Sequence, residues 1–339
     1  MLRHTLKPLV TAAVALLITT AAPSQTGGPA GYSVVSRIPG PDGGWDLLDI
    51  DPVAQRLYLA RRAGVMSVDL ASGKVTPDLV AGDGMHASMP VPGTSRVLST
   101  NGDTNTVTIF DGVSGKVFAK LEVGTKPDAV AWDQATRTAW VMNPGSGDIS
   151  VVDPLAEKVL GTITVGGSLE LGIADGNGTL YVNVEDRNEV AVLDTRARKL
   201  LRRFPLNGCE GPTGIAYAPD QKLVISACAN GVAVISKPDG HAVATLPVGP
   251  RPDGAAYDAT RHLAFVPSGG DGTLYVIRLS PKPEVVQRLE TARGARTIAL
   301  DAATGRLYLP SARYETAAGA SRPAMIPGSF SVLVVAPAP

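Results

Sequence analysis

Cysteine is almost absent from this chain: Cys209 and Cys228 are the only two in 339 residues. That excludes a disulfide-dense scaffold and a cysteine-rich zinc site. Histidine is nearly as scarce, with four residues, which argues against a multi-histidine metal or haem centre. Aromatic residues make up 5%, too few for rows of stacking platforms that hold single-stranded nucleic acid. Neither sign of charge is in excess, since Lys+Arg and Asp+Glu both count 31. Without a basic field, no nucleic acid is expected as a partner. No apolar run is long enough for a comfortable membrane span. Local catalytic signatures are missing too: there is no G-x-S-x-G, H-E-x-x-H, phosphate-binding glycine loop or EF-hand loop.

The beginning of the chain has a different character. Arg3, His4 and Lys7 form a basic start, Leu9 to Ile18 a short apolar stretch, and Thr20-Ala21-Ala22 a small-residue cleavage site. Residues 1–22 therefore read as a signal peptide and residues 23–30 (PSQTGGPA) as a flexible leader. No cysteine follows the cleavage site to carry a lipid anchor. The expectation is a soluble periplasmic or secreted protein whose single domain occupies residues 31–339.

What the chain has in quantity is a repeat. Asp69, Asp111, Asp153, Asp194, Ser236 and Arg278 follow one another at intervals of 41 or 42 residues. Each ends an alternating run: VMSVD, VTIFD, ISVVD, VAVLD, VAVIS, LYVIR. Short strands at a fixed period of this length specify an all-β seven-bladed β-propeller, four antiparallel strands (a to d) to a blade. The third repeat shows the unit: AVAWD, TAWVM, ISVVD and KVLGTITV, separated by turn residues. The last repeat lacks a strand d, whereas YSVVSRI from Tyr32 stands alone at the start. Pairing the two closes the ring and hides both sheet edges.

The stretch LYVNVEDRNEVAVLD (Leu180 to Asp194), with Tyr181-Val182-Asn183, resembles the YVTN repeat of the YncE-like exported propellers. VGTKPDAVAWD at 123 and VGPRPDGAAYD at 248 echo it. The resemblance covers the mature chain and implies fold and export. It supplies no catalytic motif. More distant propellers include lactone hydrolases and redox subunits.

Counting five residues back from the acid that closes strand a gives Asp46, Asp128, Glu170, Asp253 and Arg296, and blades 2 and 5, which align less cleanly, give His86 and Thr213. These positions should gather at one mouth of the tunnel, with Glu210 in GCEGPTG close by. Three arrangements fit so acidic a mouth. Water fills it while the acids bond backbone amides, a small cationic ligand or hard cation such as Ca²⁺ sits there, or the acids and His86 catalyse acid–base chemistry on a ligand held by Arg296. His241 and His262 fall on peripheral turns. The basic run TRARKLLRR (195–203) covers an outer strand, and ARYETAAGASRPAMIPG (312–328) forms a long b–c loop on the side of the acidic mouth. Cys209 enters strand a of the fifth blade and Cys228 ends strand b. Antiparallel pairing puts them on one face, so a disulfide is expected, with two buried thiols as the alternative.

The sequence therefore reads as a monomeric exported propeller that binds a small molecule or protein partner at its tunnel mouth. The alternative is a lactonase-type hydrolase using the ring carboxylates. No cofactor is firmly implied; Ca²⁺ is the candidate ion.

Overall fold

The computed structural model describes Leu2, residues 31–315 and residues 323–338. The expected signal peptide (Leu2 apart) and leader, and the centre of the 312–328 loop, lie outside the described residues. Seven four-stranded antiparallel sheets are arranged as blades. Their inner strands a are Trp45–Asp51, Met85–Pro90, Val130–Asp133, Leu169–Ala174, Pro212–Ala218, Ala256–Asp258 and Ala299–Asp301 for blades 1 to 7. Each neighbours the next, and the seventh returns to the first, so the ring is closed. Blade 7 is built from both termini: Ala299–Asp301, Arg306–Ser311 and Ser331–Pro337 are joined by Tyr32–Pro39 as strand d.

Side-chain burial follows from position in the blade. Strands b and c are covered on both faces by adjacent blades, so Thr138–Asn143 is buried throughout and Asp148–Asp153 at every position but its ends. Strands d form the rim and alternate, as in Glu284–Glu290. The core is accordingly a series of apolar layers between blades. One layer joins Trp140, Met142 and Ile149 of blade 3 to Leu180 and Val182 of blade 4. Another joins Leu57, Leu59 and Met66 of blade 1 to Tyr308, Phe330 and Val332 of blade 7.

The acids that mark the repeat prove to be turn formers. Asp69, Asp111, Asp153 and Asp194 each turn Oδ1 onto backbone N–H groups two or three residues ahead, closing the c–d turn. Asp51, Asp133, Asp258 and Asp301 do the same at the a–b turn. An aspartate side chain satisfies turn amides that no ladder can reach. The most regular acids are thus structural, and the site must be sought among the others.

The disulfide is formed. Cys209 and Cys228 are bonded with their Cα atoms 5.5 Å apart, both buried between blades 4 and 5. Closing a span of 19 residues is worth about 3 kcal/mol by restricting the unfolded chain.

Candidate functional site

The equivalent position near the start of strand a is irregular in every blade. In blades 1, 2, 4 and 5 the a–b register shifts there, between Trp45 and Leu48, Met85 and Ser88, Leu169 and Gly172, and Pro212 and Ile215. Asp46, His86, Glu170 and Thr213 sit inside those bulges. In blades 3, 6 and 7 the residue precedes the strand. A bulge frees a residue from the pleat and re-aims its side chain.

Neighbouring blades then fix the backbone of this position. Thr100 donates its hydroxyl to the Asp128 carbonyl at 2.7 Å, and Thr297 to the Asp46 carbonyl at 3.1 Å. Asn183 donates to the Thr213 carbonyl at 3.1 Å, and the Asp253 amide donates to the Arg296 carbonyl at 3.1 Å. These hydroxyl and amide latches tie neighbouring blades together. Gly214 permits close approach at one junction, because a Cβ there would lie 2.4 Å from the backbone of Gly254.

With their backbones held, the side chains form an arc of alternating charge through consecutive blades. Asp253 of blade 6 accepts from Arg296 of blade 7 at 2.9 Å. Arg296 also lies 3.9 Å from Asp46 of blade 1. Asp46 bonds His86 Nδ1 of blade 2 at 2.7 Å, and Asp128 of blade 3 stands 3.7 Å from the same nitrogen. The acids remain open to a ligand: Asp46, Asp128 and Asp253 keep 20%, 29% and 22% exposure. One ligand atom each from Asp46, His86 and Asp128 lies within 4.8 Å of the others, close enough to hold one metal ion. Two carboxylates and an imidazole suit a divalent ion that accepts mixed oxygen and nitrogen donors, a broader choice than Ca²⁺ alone.

The alternation ends at blade 4. No basic group forms an ion pair with Glu170 among the described residues. Burial, reinforced by the charges of Asp128, Asp253, Glu185 and Asp46, pushes its carboxyl up to about 9. Asp253 rises to about 7, mainly through burial, with Arg296 pulling the other way. Asp128 rises to about 6 for the same first reason, opposed by His86 and Arg296. His86 is raised, chiefly by its hydrogen bond to Asp46, so its proton is held more tightly than usual. At neutral pH the mouth therefore contains a protonated glutamic acid beside an ion-paired arc.

Asp46, His86, Asp128, Glu170, Asp253 and Arg296 lie together, with His86 between two of the acids. Thr213 is buried and donates to the Pro252 carbonyl at 2.7 Å, a latch between blades 5 and 6. Glu210 makes no such contact. It is exposed, its backbone amide bonds Asn230, and no bond or ion pair joins its carboxylate to the ring among the described residues. Glu185 supplies the acid instead, from the turn after strand b of blade 4. Counting along strands a alone could not find it. The b–c loop of blade 7 also reaches this side: Tyr314 packs near Trp45 with ring centroids 6.5 Å apart. Partial burial raises the Tyr314 phenol, and the charge of Arg296 opposes that rise.

These features define a seven-bladed β-propeller with an acidic, partly protonated axial mouth. No protein-family model matches the chain, and neither does any curated protein. Among solved structures it is similar to a chain of the mitotic checkpoint complex, with TM-score 0.75, 15% identity, 96% of this chain covered and 98% of that one. A chain of Kuenenia stuttgartiensis hydrazine synthase gives TM-score 0.69 and 18% identity over 86% of this chain and 96% of that one. At such identities the likeness is one of fold, and propellers serve many unrelated functions.

Proposed function

We propose that the acidic mouth holds a divalent cation and makes the protein a hydrolase of the lactonase type. The observation that carries this reading is the convergence of Asp46, His86 and Asp128 beside Glu170, an acid that keeps its proton at neutral pH. A bound divalent ion would polarise a substrate carbonyl and make water a better nucleophile. Asp253, raised to about 7, is suited to accept the proton of the attacking water. Glu170 is suited to return a proton to the departing alkoxide. Two acids with separated proton affinities can divide base and acid roles in this way. Arg296, half-exposed and bonded to Asp253, would orient an acidic substrate. The signal-like start and the disulfide support export to an oxidising compartment, and a closed monomeric ring needs no partner to complete it. No helix among the described residues is long and apolar enough to cross a membrane.

Assay of the protein against aliphatic lactones and aryl esters, with and without Ca²⁺, Mn²⁺ or Zn²⁺, tests the proposal. Turnover should require an ion, and Glu170→Gln should lower kcat by about 100-fold. The closed charge arc favours a second reading, a metal-free binding module in which protonated His86 bridges Asp46 and Asp128. Binding of small organic ligands at the mouth, with no turnover under any ion, would establish that reading and sink the first.

A further inference from the structure

The other end of the tunnel carries a different kind of space. A cavity of about 340 Å³ is walled by the far ends of strands a in blades 1 to 4. Its lining is mostly apolar, with Met89, Val130, Trp132 and Ile173 from three of the blades. It contains no lysine, arginine or histidine, but it does contain Asp49 and Asp51. Asp51 is occupied, since its Oδ1 closes the turn by accepting the amides of Val53 and Ala54, each at 2.9 Å. Asp49 is different. Its Oδ1 takes only the adjacent Ile50 amide at 2.8 Å, and no basic side chain forms an ion pair with it among the described residues. Asp49 is exposed to water within this space. The flanking residues Leu48 and Ile50 are buried in the core, so the pleat turns Asp49 to the opposite face.

A carboxylate without a counter-ion, set among apolar side chains, is complementary to a cation that carries an apolar body. An indole wall adds attraction for a cation over its face. A volume near 340 Å³ lies at the lower end of small-molecule pockets, enough for a compact amine and too small for a folded peptide. We propose that this cavity is a second binding site, separate from the acidic mouth, for an organic ammonium ion with an aryl or alkyl body, its charge on Asp49 and its apolar part against Met89, Trp132 and Ile173.

The test uses 2-phenylethylammonium and its neutral isostere 3-phenylpropanol, titrated by calorimetry into the full chain and followed by the indole N–H resonances. The ammonium should bind, and the Trp132 signal should move while that of Trp45, at the acidic mouth, stays in place. The alcohol should bind at least about tenfold more weakly, as loss of a charge-assisted contact implies. Asp49→Asn should weaken the ammonium by a similar factor. The resonance shifts are read on unaltered protein, so they decide the matter even if a variant does not fold. No binding at millimolar ammonium, equal binding of the alcohol, or a shift at Trp45 instead of Trp132 would overturn the assignment. None of these results depends on whether the acidic mouth holds an ion or turns over a lactone.

Discussion

Removing residues 32–39 should open the ring and lower the melting temperature by more than about 15 °C, if a folded monomer survives at all. The strand is short but central to closure. It pairs with Ser331–Pro337 from Tyr32↔Pro337 to Pro39↔Ser331. Tyr32 is buried and packs edge-on against Phe265 of blade 6, with ring centroids 4.9 Å apart. Its backbone N–H and C=O are both bonded by Gln287 at 2.8 and 2.7 Å. Deletion would expose the ladder of Ser331–Pro337 as an edge and strip a layer of apolar contacts, each large core side chain being worth about 2–5 kcal/mol. A synthetic peptide spanning residues 31–40 should restore part of the loss. Thermal denaturation followed by circular dichroism measures both. A deletion variant melting within about 2 °C of the intact chain would show that closure does not rest on this strand.

In the absence of divalent ions the protein should melt higher at pH 5.5 than at pH 8.5, by roughly 5–10 °C. The sign follows from the ring. Glu170, Asp253 and Asp128 bind their protons more tightly in the folded chain than carboxyls do in an unfolded one. Their contribution to stability is therefore complete below the ordinary carboxylate range and is lost as pH rises through about 6, 7 and 9 in turn. His86 adds to the same slope, since its raised affinity for a proton stabilises the folded state until that proton leaves. Asp69 and Asp111, held below the usual range by their turn hydrogen bonds, oppose this only in stronger acid. Glu170→Gln should flatten the slope between pH 7 and 9. Millimolar Ca²⁺ or Mn²⁺ should raise the melting temperature at pH 8 and have little effect at pH 5.5, because an ion competes with the protons of the ring. A stability that rises with pH across this interval, or that ignores both ion and Glu170→Gln, would refute the charge account.

The fold was legible because its signal is periodic. Seven repeats of alternating strands, an unpaired strand at Tyr32 and a missing one at the end leave little freedom of topology, and two cysteines, one entering a strand and one ending its partner, leave one disulfide. The candidate site was legible in part for a related reason: one position per blade converges on the axis, so counting from Asp51, Asp133, Asp175, Asp258 and Asp301 reaches five of its members. Even the poorly aligned blade 2 yielded His86. What the count could not supply lies outside that period. Glu185 comes from the end of a strand b, and Tyr314 from a loop found in one blade only. Glu210 is exposed in the loop that enters blade 5, next to the disulfide-bonded Cys209. The order of charges around the axis was also hidden, since blades distant in sequence become neighbours only when the ring closes. Asp253, Arg296, Asp46, His86 and Asp128 alternate in sign through that closure, and Glu170 is left without a partner. The cavity beside Asp49 is of the same kind, since its walls come from four blades.

Calorimetric titration of metal-free protein with Ca²⁺, Mn²⁺ and Zn²⁺ at pH 7.5 tests the central claim most directly. The structure predicts one ion bound per chain, release of a proton on binding, and a loss of affinity of at least about tenfold when Asp46 and Asp128 are both replaced by asparagine. No binding of any of these ions at millimolar concentration, or unchanged binding in the Asp46→Asn, Asp128→Asn protein, would contradict it.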